Sequence, residues 1–386
     1  MGRYWLMILA TSMALTACGG AQASEPVENS VTDPVPEQVV TVEQPPEPVN
    51  EVAVEEPDNV VEEASQESTE GTTVEEEPIE EEAGPFAPLT GLPSTDETIE
   101  KRAMAVMLDN YFRARPQAGL GQADVVYEIL AEGNITRYMA IFHTGAPETI
   151  GPIRSARPYF IDKALEYDPY YVHVGGSMQA LTDVIVLNMA DVDGLSSGSN
   201  VFWRTSHKKI PHNMYASDTS LRKEANRRGH RVDIGVDHLT ANSVFRALES
   251  GSPAEHVLIR YKKPTTRDKV GYYSEWTWDE EIKMYRRSVN GKPHVDETTK
   301  EALTAANVLI QAAKHKVIDN EGRLSVALIG EGSGWFLTGG EKIPVTWKKS
   351  DRRDVTRFYD ESGTEIVLNP GVTWYQVIPT DLKLGW

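Results

Sequence analysis

Arginines and acidic residues alternate through one stretch of the sequence, from residue 109 to residue 157. A guanidinium group presents a rigid fork of donors that matches a carboxylate or a phosphate, and it stays charged at physiological pH. Several converging arginines would therefore bind a phosphate, a pyrophosphate or a polycarboxylate. Because the stretch also holds many carboxylates, pairing among these residues is an equally good interpretation. The candidate ligand-binding residues are Asp109, Arg115, Glu128, Glu132, Arg137, Arg154 and Arg157.

A second candidate site lies where His173 leads through Gly175 and Gly176 to Ser177. A strand that runs into a helix here would place backbone N–H groups and a hydroxyl at the helix N-terminus, which is a natural position for an anion. The pattern also resembles the turn that carries a catalytic serine, but Gln179 stands where that motif has its second glycine. We therefore favour Ser177 as a helix N-cap over a nucleophile.

The third candidate is the polar loop that carries Arg204, His207, His212 and Asn213. Its basic and aromatic groups would complete an arginine site, whereas a surface loop held by hydrogen bonds from Asn213 explains the same residues equally well. The spacing of His207 and His212 matches no zinc pattern. We expect neither a metal ion nor a cofactor.

Strands and helices between residues 85 and 252 must position these side chains. The predicted strands are 104–108, 124–132, 136–143 and 170–174, and the predicted helices are 155–167, 177–187 and 219–228. Alternating apolar residues on both sides of Gly133-Asn134 predict a β-hairpin. A long polar loop is expected over residues 195–215. This pattern is typical of an α/β domain with a mixed sheet.

The sequence changes character after residue 252. Many short β-rich segments follow, separated by turn signals such as Asn290-Gly291 and Gly339-Gly340. Such a density of strands predicts a mainly antiparallel β domain over residues 253–386, either a curled sheet or a barrel. The expected fold class is therefore α+β, with an N-terminal α/β domain followed by a β-rich C-terminal domain.

The N-terminus carries the features of an export signal, which we assign to residues 1–17. Arg3 precedes an apolar run that is too short for a stable membrane span. Residues 15–18, Leu-Thr-Ala-Cys, resemble the lipobox of bacterial lipoproteins, in which the cysteine becomes a lipidated N-terminus. An ordinary signal peptide is the alternative. Since Cys18 is the single cysteine of the chain, the sequence offers no disulfide and no cysteine nucleophile.

The net charge of −20 comes from one segment. Residues 19–84 hold 20 Asp and Glu and no Lys or Arg, whereas the chain from residue 85 onward holds 38 acidic and 37 basic residues. A segment rich in Glu, Pro and Val without aromatics cannot bury enough apolar surface to fold. We expect residues 18–84 to be a lipidated, disordered tether. The sequence predicts no basic surface, so we expect no nucleic-acid partner.

The folded region resembles the YerB-like lipoprotein family. The matching motifs are Ala114-Arg115-Pro116-Gln117, residues 123–128, Glu132-Gly133, Thr136-Arg137, Gly151-Pro152, residues 154–157, Gly175-Gly176-Ser177, Pro211-His212-Asn213, Asn290-Gly291, Asp296, Gly371 and Trp374. The resemblance covers nearly the whole region from residue 85 to residue 386. It implies a surface lipoprotein with paired N- and C-terminal domains and no established reaction.

Three hypotheses of function fit these observations. The favoured one is a lipid-anchored, extracytoplasmic binding or scaffold protein of the cell envelope, because no complete catalytic constellation is present. Its partner would be a cell-wall component or a wall-synthesis protein. The alternative is an enzyme that acts on phosphorylated glycans or lipid-linked wall precursors, with Arg137, Arg154 and Arg157 on a pyrophosphate. Solute capture for a transporter is a third hypothesis.

Overall fold

The computed structural model describes residues 85–232, 241–266, 269 and 271–386. The predicted signal, Cys18 and the predicted acidic tether lie outside these residues. In the first half the described strands are β1 (Met104–Asp109), β2 (Val125–Leu130), β3 (Thr136–Phe142), β4 (Tyr170–His173), β5 (Ala190–Asp193), β6 (Phe202–Arg204) and β7 (Met214–Ala216). The described helices are α1 (Asp96–Ile99), α2 (Pro158–Ala164), α3 (Met178–Val186) and α4 (Asp218–Arg227). None of these helices is long and apolar enough to cross a membrane.

The second half of the described chain consists of strands. They are β8 (Ser252–Pro253), β9 (His256–Lys262), β10 (Tyr272–Asp279), β11 (Met284–Val289), β12 (Lys292–Pro293), β13 (Thr304–Ala305), β14 (Asn307–Ala313), β15 (His315–Val317), β16 (Leu324–Val326), β17 (Gly330–Thr338), β18 (Glu341–Lys349), β19 (Arg357–Tyr359), β20 (Thr373–Pro379) and β21 (Leu384–Gly385).

A mixed sheet runs through the molecule in the order β19-β18-β17-β14-β20-β2-β3-β1-β4-β5, with β8 paired to β18. Strand β20 is parallel to both of its neighbours, β14 and β2. Strands β1 and β4 are also parallel, whereas β3 is antiparallel to β1 and β2. The main sheet thus draws strands from both sides of residue 252, and the predicted domain division at that residue stays a prediction.

Both faces of the main sheet are covered. Along β1, Val106 and Leu108 belong to one buried cluster and Ala105 and Met107 to the other, as the two-residue period of a strand requires. A second sheet, ordered β12-β11-β10-β9-β21 with β13 on β11, packs on the first face, together with α4. Helices α2 and α3 pack on the opposite face. A strand covered on both sides reads as a continuous apolar run, which is the pattern of residues 104–108.

The predicted α+β class with a β-rich second half is confirmed. The hairpin of β2 and β3 is present, and its turn places Gly133 at φ +69° and Asn134 at φ +55°, the left-handed values that this residue pair tolerates. One expectation is wrong in detail. Residues 195–215, expected to be a loop, contain β6 and part of β7, which pair with each other.

Candidate functional site

Six predicted site residues meet at one edge of the main sheet, and we call them the arginine cluster. They are Asp109, Glu132, Arg137, Arg154, Arg157 and His212. Asp109 ends β1 opposite Arg137 of β3, while the loop after β3 crosses the ends of β1 and β4 and brings Arg154 between them. Ligands of open α/β sheets bind at the carboxyl ends of parallel strands, because helix starts and loops converge there. The fold therefore gathers these residues at a suitable edge.

Asp109 is the centre of one half of the arginine cluster. Its side chain is buried, and Oδ2 lies 2.6 Å from His212 Nδ1 and 3.1 Å from Arg154 Nε. The backbone N–H of Tyr111 donates to Oδ1 at 2.9 Å. An ionised carboxylate only accepts hydrogen bonds, so Nδ1 of His212 carries a proton. The His212 ring also stacks on Tyr111, with centroids 4.7 Å apart and planes at 15°.

Glu132 is the centre of the other half. It accepts from Arg137 Nη2 at 3.1 Å and from Arg157 Nε, while Arg137 Nη1 donates to the carbonyl of Ser155. Burial, reinforced by the neighbouring Arg157, lowers the pKa of Arg137 to about 10 against the attraction of Glu132, so Arg137 stays protonated at neutral pH. Burial would raise the pKa of Glu132, but the two arginines outweigh it and lower that pKa. Three arginines thus share two carboxylates, which leaves the cluster positively charged.

Glu128 is absent from this surface because it is fully buried. It pairs with the equally buried Arg287 of β11 and accepts hydrogen bonds from Thr136 at 2.7 Å and from the Tyr272 hydroxyl. The Arg287 guanidinium lies 4.6 Å from the Trp374 ring centroid. Glu128 therefore connects the two halves of the chain and has no exposed atoms for a ligand.

Four further predicted residues are engaged in local hydrogen bonds. His173 is buried, with Nδ1 2.9 Å from the carbonyl of Gly175. Ser177 is the N-cap of α3, since its hydroxyl accepts from the Ala180 N–H. Arg204 donates to Asn213 Oδ1 at 2.8 Å, and Asn213 donates to the Thr205 carbonyl at 2.8 Å. These contacts shape the loops around the arginine cluster.

Arg115 lies in a cleft between the two halves of the chain. The cleft has a volume of about 920 Å³, and its charged lining residues are Arg115, Lys262 and Lys292. None of the described lining residues is acidic, and within the described chain no carboxylate lies within salt-bridge distance of Arg115. The Arg115 guanidinium instead lies 5.2 Å from the Tyr272 ring centroid. Arg137, Arg154 and Arg157 each face a carboxylate, whereas Arg115 and Arg204 have no acidic partner in the described residues, and Arg204 donates to Asn213.

His294 lines the cleft and is held in a fixed protonation state. Arg287 Nη1 donates to His294 Nδ1 at 3.1 Å, and His294 Nε2 donates to Gln117 Oε1 at 2.8 Å. Burial, together with the charges of Arg287 and Arg115, holds the pKa of His294 well below its ordinary value. His294 is therefore neutral at physiological pH, and the charged side chains of the described lining are Arg115, Lys262 and Lys292.

Sequence reasoning finds Arg115 but misses Lys262 and Lys292. Both lie in the second half, where Lys262 ends β9 and Lys292 begins β12 after the turn at Asn290-Gly291. That turn is visible in the sequence, but nothing local indicates that it faces Arg115. Among the described residues, no group of three or more His, Cys, Asp and Glu side chains is placed to hold a metal ion.

Comparison with known proteins identifies the relatives of this chain. Residues 89–231 match the N-terminal domain, and residues 265–375 the C-terminal domain, of the protein of unknown function DUF3048. The chain is 34% identical over 293 residues to the Bacillus subtilis (strain 168) protein named "Putative lipoprotein YerB", covering 76% of this chain and 86% of the relative. This chain belongs to the YerB-like family. The resemblance inferred from the motifs is confirmed.

A solved structure of the YerB-like family supports the fold. The crystal structure of the YerB protein from Bacillus subtilis matches with a TM-score of 0.69 and 33% identity, covering 78% of this chain and 99% of that chain. The matched domains carry no described activity. The geometry of the cleft and of the arginine cluster is therefore the basis for a functional proposal.

Proposed function

We propose that this YerB-like protein is a lipid-anchored, extracytoplasmic binding protein of the cell envelope that captures an anionic wall glycan in the cleft. One observation carries the proposal: Arg115, Lys262 and Lys292 line a single concave surface that holds no acidic residue among its described lining. Cationic side chains in a cleft attract anions and strengthen their binding, because the protein walls focus the field.

The rest of the cleft favours a glycan. The exposed Asn134 contributes an amide group that can bond hydroxyls and acetamido groups, and Tyr111 contributes aromatic surface. A volume of about 920 Å³ falls within the usual range of about 300–1,000 Å³ for small-molecule sites. A concave site of this size suits a wall fragment better than the surface of a wall-synthesis protein, which is the alternative partner.

Arg115→Ala is expected to weaken the binding of UDP-N-acetylglucosamine, a soluble sugar with an anionic pyrophosphate, by roughly 10- to 100-fold. A charge-assisted hydrogen bond contributes about 1.5–3 kcal/mol, which corresponds to that factor. Isothermal titration calorimetry on the full-length lipoprotein in detergent measures the change. N-acetylmuramyl dipeptide, which carries carboxylates instead, shows which anion the cleft prefers.

Arg357→Ala is the matched control, because Arg357 is half-exposed and pairs with Glu365 away from the cleft. It should bind the probes as the unaltered protein does, and uncharged N-acetylglucosamine should bind more weakly than either anionic sugar. Equal affinity of the Arg115→Ala and unaltered proteins would contradict the role of the cleft, as would an unaltered protein that binds neither anionic probe.

Cys18→Ala is expected to release the protein from membranes, because the variant lacks the thiol that receives the lipid. Two or three acyl chains anchor a protein stably, whereas residues 4–15 alone are too short to span a bilayer. Fractionation of cells into membrane and soluble fractions measures the change. A variant that stays with the membrane at the original level would show that the anchor lies elsewhere.

A further inference from the structure

We propose that the Asp109–His212 pair is a proton-transfer site for hydrolysis of a phosphodiester bond in the ligand that the cleft binds. The inference rests on the proposed function, because the cleft holds the ligand. It goes beyond binding by assigning a reaction class to residues at the rim of the cleft. Three observations carry it: the orientation of His212, the free edge of Arg154 and the position of Tyr111.

The orientation of His212 leaves one nitrogen available for proton transfer. Nδ1 is committed to Asp109 at 2.6 Å, so in the neutral ring the lone pair is on Nε2. Within the described residues Nε2 has no hydrogen-bond partner and is not buried. The stacked ring of Tyr111 and the buried carboxylate of Asp109 fix the direction of this nitrogen. A histidine oriented by a carboxylate in this way is the usual arrangement of a general base.

Arg154 supplies a positive charge beside that base. Its Nε lies 3.1 Å from the same Asp109 oxygen that His212 contacts, and its side chain is 27% exposed. Arg137 differs, because both of its terminal nitrogens donate to the protein. In the described structure, neither terminal nitrogen of Arg154 has a protein partner or is buried. This edge can donate two hydrogen bonds to the phosphoryl oxygens, whose negative charge grows during water attack.

Tyr111 joins the pair to the cleft. It lines the cleft and also stacks on His212, so the thickness of one ring separates the two. A glycan seated against Arg115 and Lys292 can therefore extend past Tyr111 and place a linking group at His212. A phosphodiester fits this arrangement, because it joins two groups, keeps a negative charge for Arg154 and releases an alcohol when it is cut.

The reaction balances with water as the second reactant. His212 Nε2 takes a proton from water while the water oxygen forms a bond to phosphorus. The bond between phosphorus and the oxygen of the leaving alcohol breaks, and that oxygen takes the proton from the imidazolium. The products are a phosphomonoester and an alcohol, and His212 returns to its neutral form. Asp109 acts as a positioning residue that holds the ring and stabilises its charged form.

The test uses the full-length lipoprotein in detergent with bis(p-nitrophenyl) phosphate as substrate, in the presence of EDTA. We expect release of p-nitrophenol, and His212→Ala should lower kcat by at least about 100-fold, the usual contribution of a general base. His256→Ala is the matched control, since His256 is 42% exposed on β9 and lies outside the cleft lining. It should leave the rate unchanged.

Added imidazole separates a chemical role of His212 from a structural one. In His212→Gly it should restore part of the rate in proportion to its concentration, whereas a damaged fold would not respond. Wild-type turnover in His212→Ala overturns the inference. So does an unaltered protein that binds UDP-N-acetylglucosamine but hydrolyses no diester, and that result leaves the proposed binding function intact. If Arg115→Ala hydrolyses the diester with an unchanged KM, the cleft does not bind the substrate. The Asp109–His212 pair would then act without the cleft.

Discussion

Arg287→Met should lower the free energy of unfolding by about 3–5 kcal/mol, the usual cost of removing one partner of a buried ion pair. Arg287 and Glu128 are both fully buried, so the variant leaves a carboxylate in the core with no compensating charge. The guanidinium also packs against Trp374, and that contact is lost. Urea or guanidinium denaturation followed by tryptophan fluorescence measures the change.

Arg286→Met is the matched control, since it alters the adjacent residue of the same strand. Arg286 is 46% exposed and pairs with Asp279 at the surface, where such pairs contribute about 0–1 kcal/mol. A double variant, Glu128→Leu with Arg287→Met, should recover most of the lost stability, because the unpaired charge is gone. Equal effects of the Arg287 and Arg286 variants would contradict the importance of burial.

The free energy of unfolding of the unaltered protein should rise between about pH 8 and pH 10, and Lys163→Met should abolish that rise. Lys163 and Lys349 both donate to Glu166, and all three side chains are buried. Burial, reinforced by the charge of Lys349, lowers the pKa of Lys163 to about 8 from an ordinary 10.5. The pKa of Glu166 is lowered despite its burial, because two cations face it. One anion therefore compensates two cations, and Lys163 is the cation whose charge the fold disfavours.

The direction of this change in stability with pH follows from proton binding. Above pH 8 the folded protein releases the Lys163 proton while the unfolded chain keeps it, so the unfolded state binds more protons and stability rises with pH. The rise over pH 8–10 should be about 2–3 kcal/mol. Buried tyrosines such as Tyr127 have raised pKa values and oppose this trend above pH 10, so the difference between variant and unaltered protein is the quantity to measure. The exposed Lys101→Met is the control, and equal slopes for all three proteins would contradict the assignment.

Local pattern in the sequence predicts the elements of the first half and the place of its polar residues. The hairpin of β2 and β3 fixes the register of Arg137 against Ile129 and places Glu132 in the turn region beside them. Asp109 lies opposite Arg137 because β1 pairs with β3, and no local pattern specifies that pairing of non-consecutive strands. Arg154 and Arg157 lie in the loop before α2, and their residue type and their position in the sequence indicate that they belong to the candidate site.

The contacts between the halves could not be predicted in this way. Glu128 alternates with apolar neighbours on β2, which is compatible with a ligand site, but its partner Arg287 lies on β11 in the other half of the chain. No periodicity links two such positions. Lys262 and Lys292 reach the cleft for the same reason, since the packing of the second sheet on the main sheet decides what faces Arg115.

Strand β20 constrains the order in which the strands of the main sheet can pair. It lies near the C-terminus, yet it forms the parallel junction between β14 and β2, pairing Thr373 with both Asn307 and Val125. The hydrogen bonds that join β20 to β14 and to β2 cannot form until residues 373–379 have been synthesised. Strand β14 with β17, β18 and β19, and strand β2 with β1, β3, β4 and β5, are therefore joined into one sheet only late in synthesis.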